Sequence, residues 1–151
     1  MQYRFSLFVA RMAVTNTVVL FFSWLLSPCL FGTKRTITIL YFLQFRSPEE
    51  YEYSPQTEKV DIYSFGNVLY GVLTGKYPFE KEKSKKARNM VKEGERPIIS
   101  SSIQKSKDPF DRAMIEAIEM CWIQNPKKRA SAREVQKFVL SELQKLGVHE
   151  D

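Results

Sequence analysis

Few side chains in this sequence stand at spacings that do chemistry. The 151 residues hold one histidine, His149, and two cysteines, Cys29 and Cys121, 92 positions apart and outside any Cys-x-x-Cys pair. That inventory excludes a disulfide framework and a Cys/His zinc site. Glycines occupy positions 32, 66, 71, 75, 94 and 147 only, so no Gly-x-Gly-x-x-Gly loop exists to cradle phosphates. Carboxylates begin at Glu49, and Asp61, Asp108 and Asp111 stand where helices are expected to start. Capping of free amides explains such aspartates better than catalysis. The remaining charged feature is cationic, with ten basic and four acidic residues between Lys76 and Lys107, concentrated from Glu80 to Arg88. No stacking aromatic lies in that run and no nucleic-acid fold signature accompanies it, so it reads as a solvated helix face and no nucleic-acid partner is expected.

Elements to position these residues are legible from Pro48 onward, where periodicity predicts four helices joined by turn signals and almost no strand. Val60 to Leu73 is apolar on several faces, ends at Thr74-Gly75, and reads as a buried helix forming the axis of a core. Gly66 and Gly71 each cost about 1 kcal/mol inside a helix, which predicts another backbone packed close to them. A second, polar helix is expected from Glu82 to Lys92, stopped by Gly94, with a thin apolar face of Ala87, Met90 and Val91. The third begins at Asp108-Pro109, with Asp108 as cap and proline in the first turn. Phe110, Ala113, Met114, Ala117, Ile118, Cys121 and Trp122 follow at three- and four-residue steps, and Asn125-Pro126 closes the pattern. Ser131-Ala132-Arg133-Glu134 is a capping box that opens a fourth helix, carrying Val135, Phe138, Val139 and Leu143 and ending at Gly147.

Composition divides the chain near Phe45. Residues 1–45 hold four basic side chains and no acid, together with ten of the 20 aromatics, whereas the rest has an ordinary globular balance. The chain is 44% hydrophobic and 26% charged, which excludes wholesale disorder, and its length suits one domain. From Met12 to Thr33 there are 22 consecutive uncharged residues, which as a helix would reach about 33 Å, enough for a hydrocarbon core. Three readings of the segment stay open: a membrane span over residues 12–33, a secretory signal with Ser27-Pro28-Cys29 at its cleavage site, or translated non-coding sequence joined at Phe45. The expected organisation is an apolar, acid-free segment over 1–45 and a helical unit over 46–147, in a cytoplasmic or membrane-associated setting.

Three separated motifs of the helical unit together resemble the second half of the large lobe of a eukaryotic-type protein kinase. Ser47-Pro48-Glu49 stands where kinases have Ala-Pro-Glu. Asp61-Ile62-Tyr63-Ser64-Phe65-Gly66-Asn67-Val68-Leu69-Tyr70, continued by Leu73-Thr74-Gly75-Lys76-Tyr77-Pro78-Phe79, is similar to the family's central helix and its exit. Cys121-Trp122-Ile123-Gln124-Asn125-Pro126-Lys127-Lys128-Arg129-Ala130-Ser131 is similar to the Cys-Trp…Pro…Arg segment of tyrosine-kinase-like members. The resemblance covers about residues 45–144 and implies a mainly α fold. It also implies roles: a buried ion pair between Glu49 and Arg129, catalytic-loop backbone bonds to Asp61, and packing by Trp122 and Pro126 around the same corner.

The resemblance implies a parent activity, ATP-dependent protein phosphorylation with magnesium. It supplies no residue for that chemistry here, because the glycine-rich loop, the strand lysine, the catalytic-loop aspartate with its asparagine and the Asp-Phe-Gly ligand are not found in the sequence. Ser64-Phe65-Gly66 is a false match, since it lies inside the central helix and after Ser47-Pro48-Glu49. The expectation is a partial kinase domain with no catalytic, cofactor-binding or metal-binding residue of its own, whose partner is the remainder of a kinase domain or another protein. The alternative is a pseudokinase-like binding module tethered to a membrane through residues 12–33.

Overall fold

The computed structural model describes residues 45–52 and 55–147. Its helices, numbered along these residues, are α1 (Pro48–Tyr51), α2 (Lys59–Thr74), α3 (Ser84–Lys92), α4 (Ser101–Gln104), α5 (Pro109–Cys121) and α6 (Ala132–Lys145). No strand occurs among the described residues, so the mainly α expectation holds. The apolar segment up to residue 44, and with it the span expected over 12–33, lies outside the described residues. Among those described, no helix is long and apolar enough to cross a membrane.

Helix α2 is the axis. Ile62, Tyr63, Phe65, Leu69 and Tyr70 are buried along it, each large apolar side chain contributing about 1.5–3 kcal/mol by leaving water. It stops at Gly75, whose φ of 68 lets its N–H turn back to the Gly71 carbonyl at 2.9 Å, a conformation that costs glycine nothing. Helix α5 packs along α2 and α6 packs on α5, while α1 lies against α3 and α4 against α5. Asp108 Oδ1 accepts the Phe110 amide at 2.9 Å and so starts α5. Ser131 and Glu134 form the predicted capping box of α6, with the Glu134 carboxylate taking both the amide and the hydroxyl of Ser131 at 2.7 Å. The carboxyl of Glu134 is held below its ordinary range by these two bonds, the hydroxyl's first.

The structure departs from the sequence pattern in four places. The one-turn helices α1 and α4 are too short to show a period. Helix α3 begins at Ser84 rather than Glu82, because the Glu82 amide is held by the Phe79 carbonyl at 2.8 Å in the preceding turn. Helix α5 ends at Cys121, before Asn125-Pro126, where the Trp122 amide is shared between the Ile118 and Glu119 carbonyls. The glycines differ most. A Cβ at Gly66 would stand 2.7 Å from the Cβ of Cys121 and 2.8 Å from Trp122 Cδ1, so the close neighbour is a pair of side chains, from the last residue of α5 and the one after it, and not a backbone. Among the described residues Gly71 has no tight neighbour, the nearest atom to its Cβ position being the Lys76 carbonyl oxygen at an ordinary 3.5 Å.

Candidate functional site

The structure gathers its buried polar groups at one corner, where the turn before α1, the start of α2 and the loop after α5 meet. Glu50 shapes the entry to α1: its carboxylate accepts the Ser47 amide at 2.6 Å and the Ser47 hydroxyl at 2.8 Å. Ser47, Pro48 and Glu49 are all buried, and this turn carries the Glu49 carboxylate inward.

Arg129 meets it there, 80 positions later. Nη1 donates to Glu49 Oε1 at 2.6 Å and Nη2 to Oε2 at 3.0 Å, a bidentate pair. The remaining donors go to backbone carbonyls, Nη1 to Lys59 at 2.6 Å, Nε to Ile123 at 2.9 Å and Nη2 to Gln124 at 3.3 Å. A guanidinium has five N–H groups, and each has an acceptor. The arginine is presented by a tight turn in which the amides of Lys128 and Arg129 both reach the Asn125 carbonyl at 3.0 Å, with Pro126 half-buried in the same turn. Lys59 Nζ returns a bond to the Arg129 carbonyl at 2.7 Å. The expected ion pair is therefore present and ties the first turn of α2 to both ends of the unit.

Trp122 adds a second link. Its indole N–H donates to Asn67 Oδ1 at 3.0 Å, and Asn67 Nδ2 donates to the Phe45 carbonyl at 3.1 Å, which also accepts the Ser64 hydroxyl at 3.0 Å. Gly66 leaves room for the indole on the turn between Ser64 and Asn67. Asp61 is not drawn into this network. It stands exposed on the first turn of α2, no hydrogen bond reaches its carboxylate from the described residues, and partial burial together with Glu50 raises its pKa.

Three participants carried no signal that sequence reasoning used. The Tyr63 ring lies between two guanidiniums, with the central carbons of Arg96 and Arg129 each 5.1 Å from its centroid. Among the described residues its buried hydroxyl has no hydrogen-bond partner, and burial, only partly offset by the two arginines, pushes its pKa up to about 12. Arg96 reaches the Trp122 carbonyl through Nε at 2.9 Å and clasps Gln124 Oε1 at 2.6 Å. Gln124 in turn donates to the Val91 and Lys92 carbonyls at 3.2 and 3.1 Å, fastening the end of α3. The one available hint was Asn67, a polar residue set among apolar ones in α2.

Chemically, the corner is occupied by its own bonds. The Cys121 thiol beside it is fully buried and pushed up to about 12 by that burial, which leaves no thiolate nucleophile at neutral pH. Among the described residues, no three His, Cys, Asp or Glu side chains are grouped as a metal ion held by protein ligands alone would need. The arrangement orients chain segments relative to one another.

The family model for the protein kinase domain matches residues 30–139, reaching upstream of Phe45, where the motifs quoted above begin. The chain is similar to a probable serine/threonine-protein kinase of Dictyostelium discoideum, 33% identical over 97 residues, covering 64% of this chain and 10% of that relative. It is 37% identical over 87 residues to a serine/threonine/tyrosine-protein kinase of Arabidopsis thaliana, covering 57% of this chain and 20% of the relative. The solved twitchin kinase region of C. elegans shares the fold, with a TM-score of 0.55 at 21% identity over 64% of this chain and 17% of that one. The chain thus spans a small part of the length of each relative.

Proposed function

The chain belongs to the protein kinase family, and we propose that its helical unit is the structural part of a tyrosine-kinase-like large lobe, inactive by itself. The observation that carries this reading is Arg129, whose five donors are all committed to holding Glu49 and the surrounding backbone. Such a corner braces a lobe and offers nothing to a nucleotide. The late Cys121-Trp122 motif supports the tyrosine-kinase-like placing. The names of the relatives support serine or threonine as the acceptor in a whole parent protein.

Phosphoryl transfer is mostly positioning and electrostatic stabilisation of the moving group. It needs metal-binding oxygens and a phosphate cradle, and this sequence offers neither at family spacing. The polypeptide is therefore expected neither to bind Mg-ATP nor to phosphorylate protein. Calorimetry with Mg-ATP, alongside a phosphate-transfer assay on Ser/Thr and Tyr peptides and an authentic kinase domain as reference, tests this. Micromolar binding, or turnover that persists through purification, overturns it.

A second reading rests on the 22 uncharged residues from Met12 to Thr33: a membrane-tethered, pseudokinase-like module that binds a protein partner. Release from membranes by detergent but not by salt or alkali supports it, and release by salt alone rejects it.

A further inference from the structure

Between α5 and α6 the surface opens into an apolar groove. Its floor is Leu69 of α2, Met114 and Leu143, all buried, and its rims are Phe110, Phe138 and Leu146, which stay half-buried. Glu142 is the one charged residue that lines it among the described residues. The hollow measures about 30 Å³, room for a water or two or the tip of one side chain, and far below the several hundred Å³ of a small-molecule site. Such a groove suits a surface that lays one side chain into it and continues outside. Helix α6 carries charges that match a surface of this kind. Glu134 in its first turn and Lys145 in its last are both exposed. They stand 11 positions apart, which on a helix places them within about 20° of one line and about 16 Å from each other. Phe138 lies between them on that side. Both bonds from Ser131 to Glu134 use Oε2, and Lys145 gives its bond to Glu142 on the same helix, so each charge keeps capacity for a further partner.

We propose that this face of α6 pairs with the same face of a second copy of the chain, the two helices running antiparallel about a twofold axis near Val139 and Leu140. In that register each Glu134 meets Lys145 of the second copy, and the two Phe138 rings lie between the pairs, against the apolar rims. Parallel pairing would set Glu134 against Glu134 and Lys145 against Lys145, so the charges select the antiparallel arrangement. A twofold contact uses the same patch on both copies and therefore closes at a dimer. A lipid surface fits less well, because the hollow is too small for an acyl chain and the carboxylates of Glu134 and Glu142 repel anionic headgroups. The inference stands apart from the question of phosphoryl transfer, since none of these residues belongs to the buried corner.

The test is sedimentation equilibrium of the full chain across the micromolar range, with circular dichroism to show each variant equally helical. A monomer–dimer equilibrium is expected. Lys145→Glu should weaken it about fivefold or more, the scale of turning two exposed attractive pairs into repulsive ones. That direction is diagnostic, because the substitution also lowers the positive net charge of the chain, which by itself favours association. The charge swap Glu134→Lys/Lys145→Glu should restore dimerisation to within about twofold of the original, since each pair is re-formed with its signs exchanged. Lys85→Glu, an equal change of charge at an exposed position on α3, should leave the dimer at least as strong. A chain that stays monomeric throughout, whether its groove is open or covered from within, overturns the proposal. Assemblies larger than two, equal weakening by Lys85→Glu and Lys145→Glu, or a charge swap that fails to recover the dimer overturn it as well.

Discussion

Two kinds of ion pair in this molecule use the same chemistry to opposite effect. Arg129 and Glu49 meet with side chains almost wholly shielded from water, whereas Lys86–Glu82 and Lys145–Glu142 bridge neighbouring turns on the surface, with both lysines largely exposed. The surface pairs join residues that their own helix or turn already holds together. The buried pair joins residues 80 positions apart, so its formation is inseparable from the fold. Water explains the difference, because a screened pair gains little and a dry charge without a partner is costly.

The sharpest way to break this contrast is to remove one buried partner. Arg129→Met and Glu49→Gln should each lower the stability of the chain by about 3–5 kcal/mol, read by urea unfolding. The double variant should lose much less than the two losses combined. Additive losses would mean that the two residues act separately. The Cys121 thiol gives a second readout: it should resist iodoacetamide in the native chain and become reactive when Arg129 is replaced.

A smaller effect is expected at the glycines, and there the sign is the test. Gly66→Ala drives a methyl group against Cys121 and Trp122, and overpacking of this kind typically costs about 1–3 kcal/mol, more than the roughly 1 kcal/mol gained from helix propensity. Gly71→Ala meets no such contact and should stabilise by up to about 1 kcal/mol. Opposite shifts in melting temperature are expected, and equal destabilisation would mean that helix α2 is crowded on both faces.

Tyr63→Phe refines the account of the buried corner. It removes a hydroxyl that has no partner among the described residues while keeping the ring against the two arginines, so stability should stay level or rise by about 1 kcal/mol. Tyr63→Leu should destabilise, because the ring faces that attract the guanidiniums are gone. A marked loss with phenylalanine would show that the hydroxyl is bonded in solution. The smallest effect belongs to the surface: Lys86→Ala should leave the denaturation curve where it is, and a clear shift would show that the exposed pairs also hold tertiary structure.

Much of the helical unit was legible in the sequence because its signals are local. The cap at Asp108, the box at Ser131 and Glu134 and the left-handed stop at Gly75 all act within a turn of the residues that announce them. The Glu49–Arg129 pair was legible only through the motifs that carry the family resemblance, since nothing in a spacing of 80 residues predicts a contact. Tyr63, Arg96 and Gln124 were not legible as a group. Each looks ordinary alone, and their significance comes from three segments converging on one ring.

By itself, then, the sequence determined that the four longer helices form, where α5 and α6 start and α2 stops, and which of their faces are apolar, all consequences of short-range sterics, capping and composition. Tertiary structure alone decided that Gly66 admits an indole while Gly71 admits nothing, that Asp61 stays in water while Glu49 leaves it, and that one arginine satisfies five donors at once. Those outcomes depend on which surfaces exclude water together, and that is set by the packing of distant segments rather than by any residue's own neighbours in the chain.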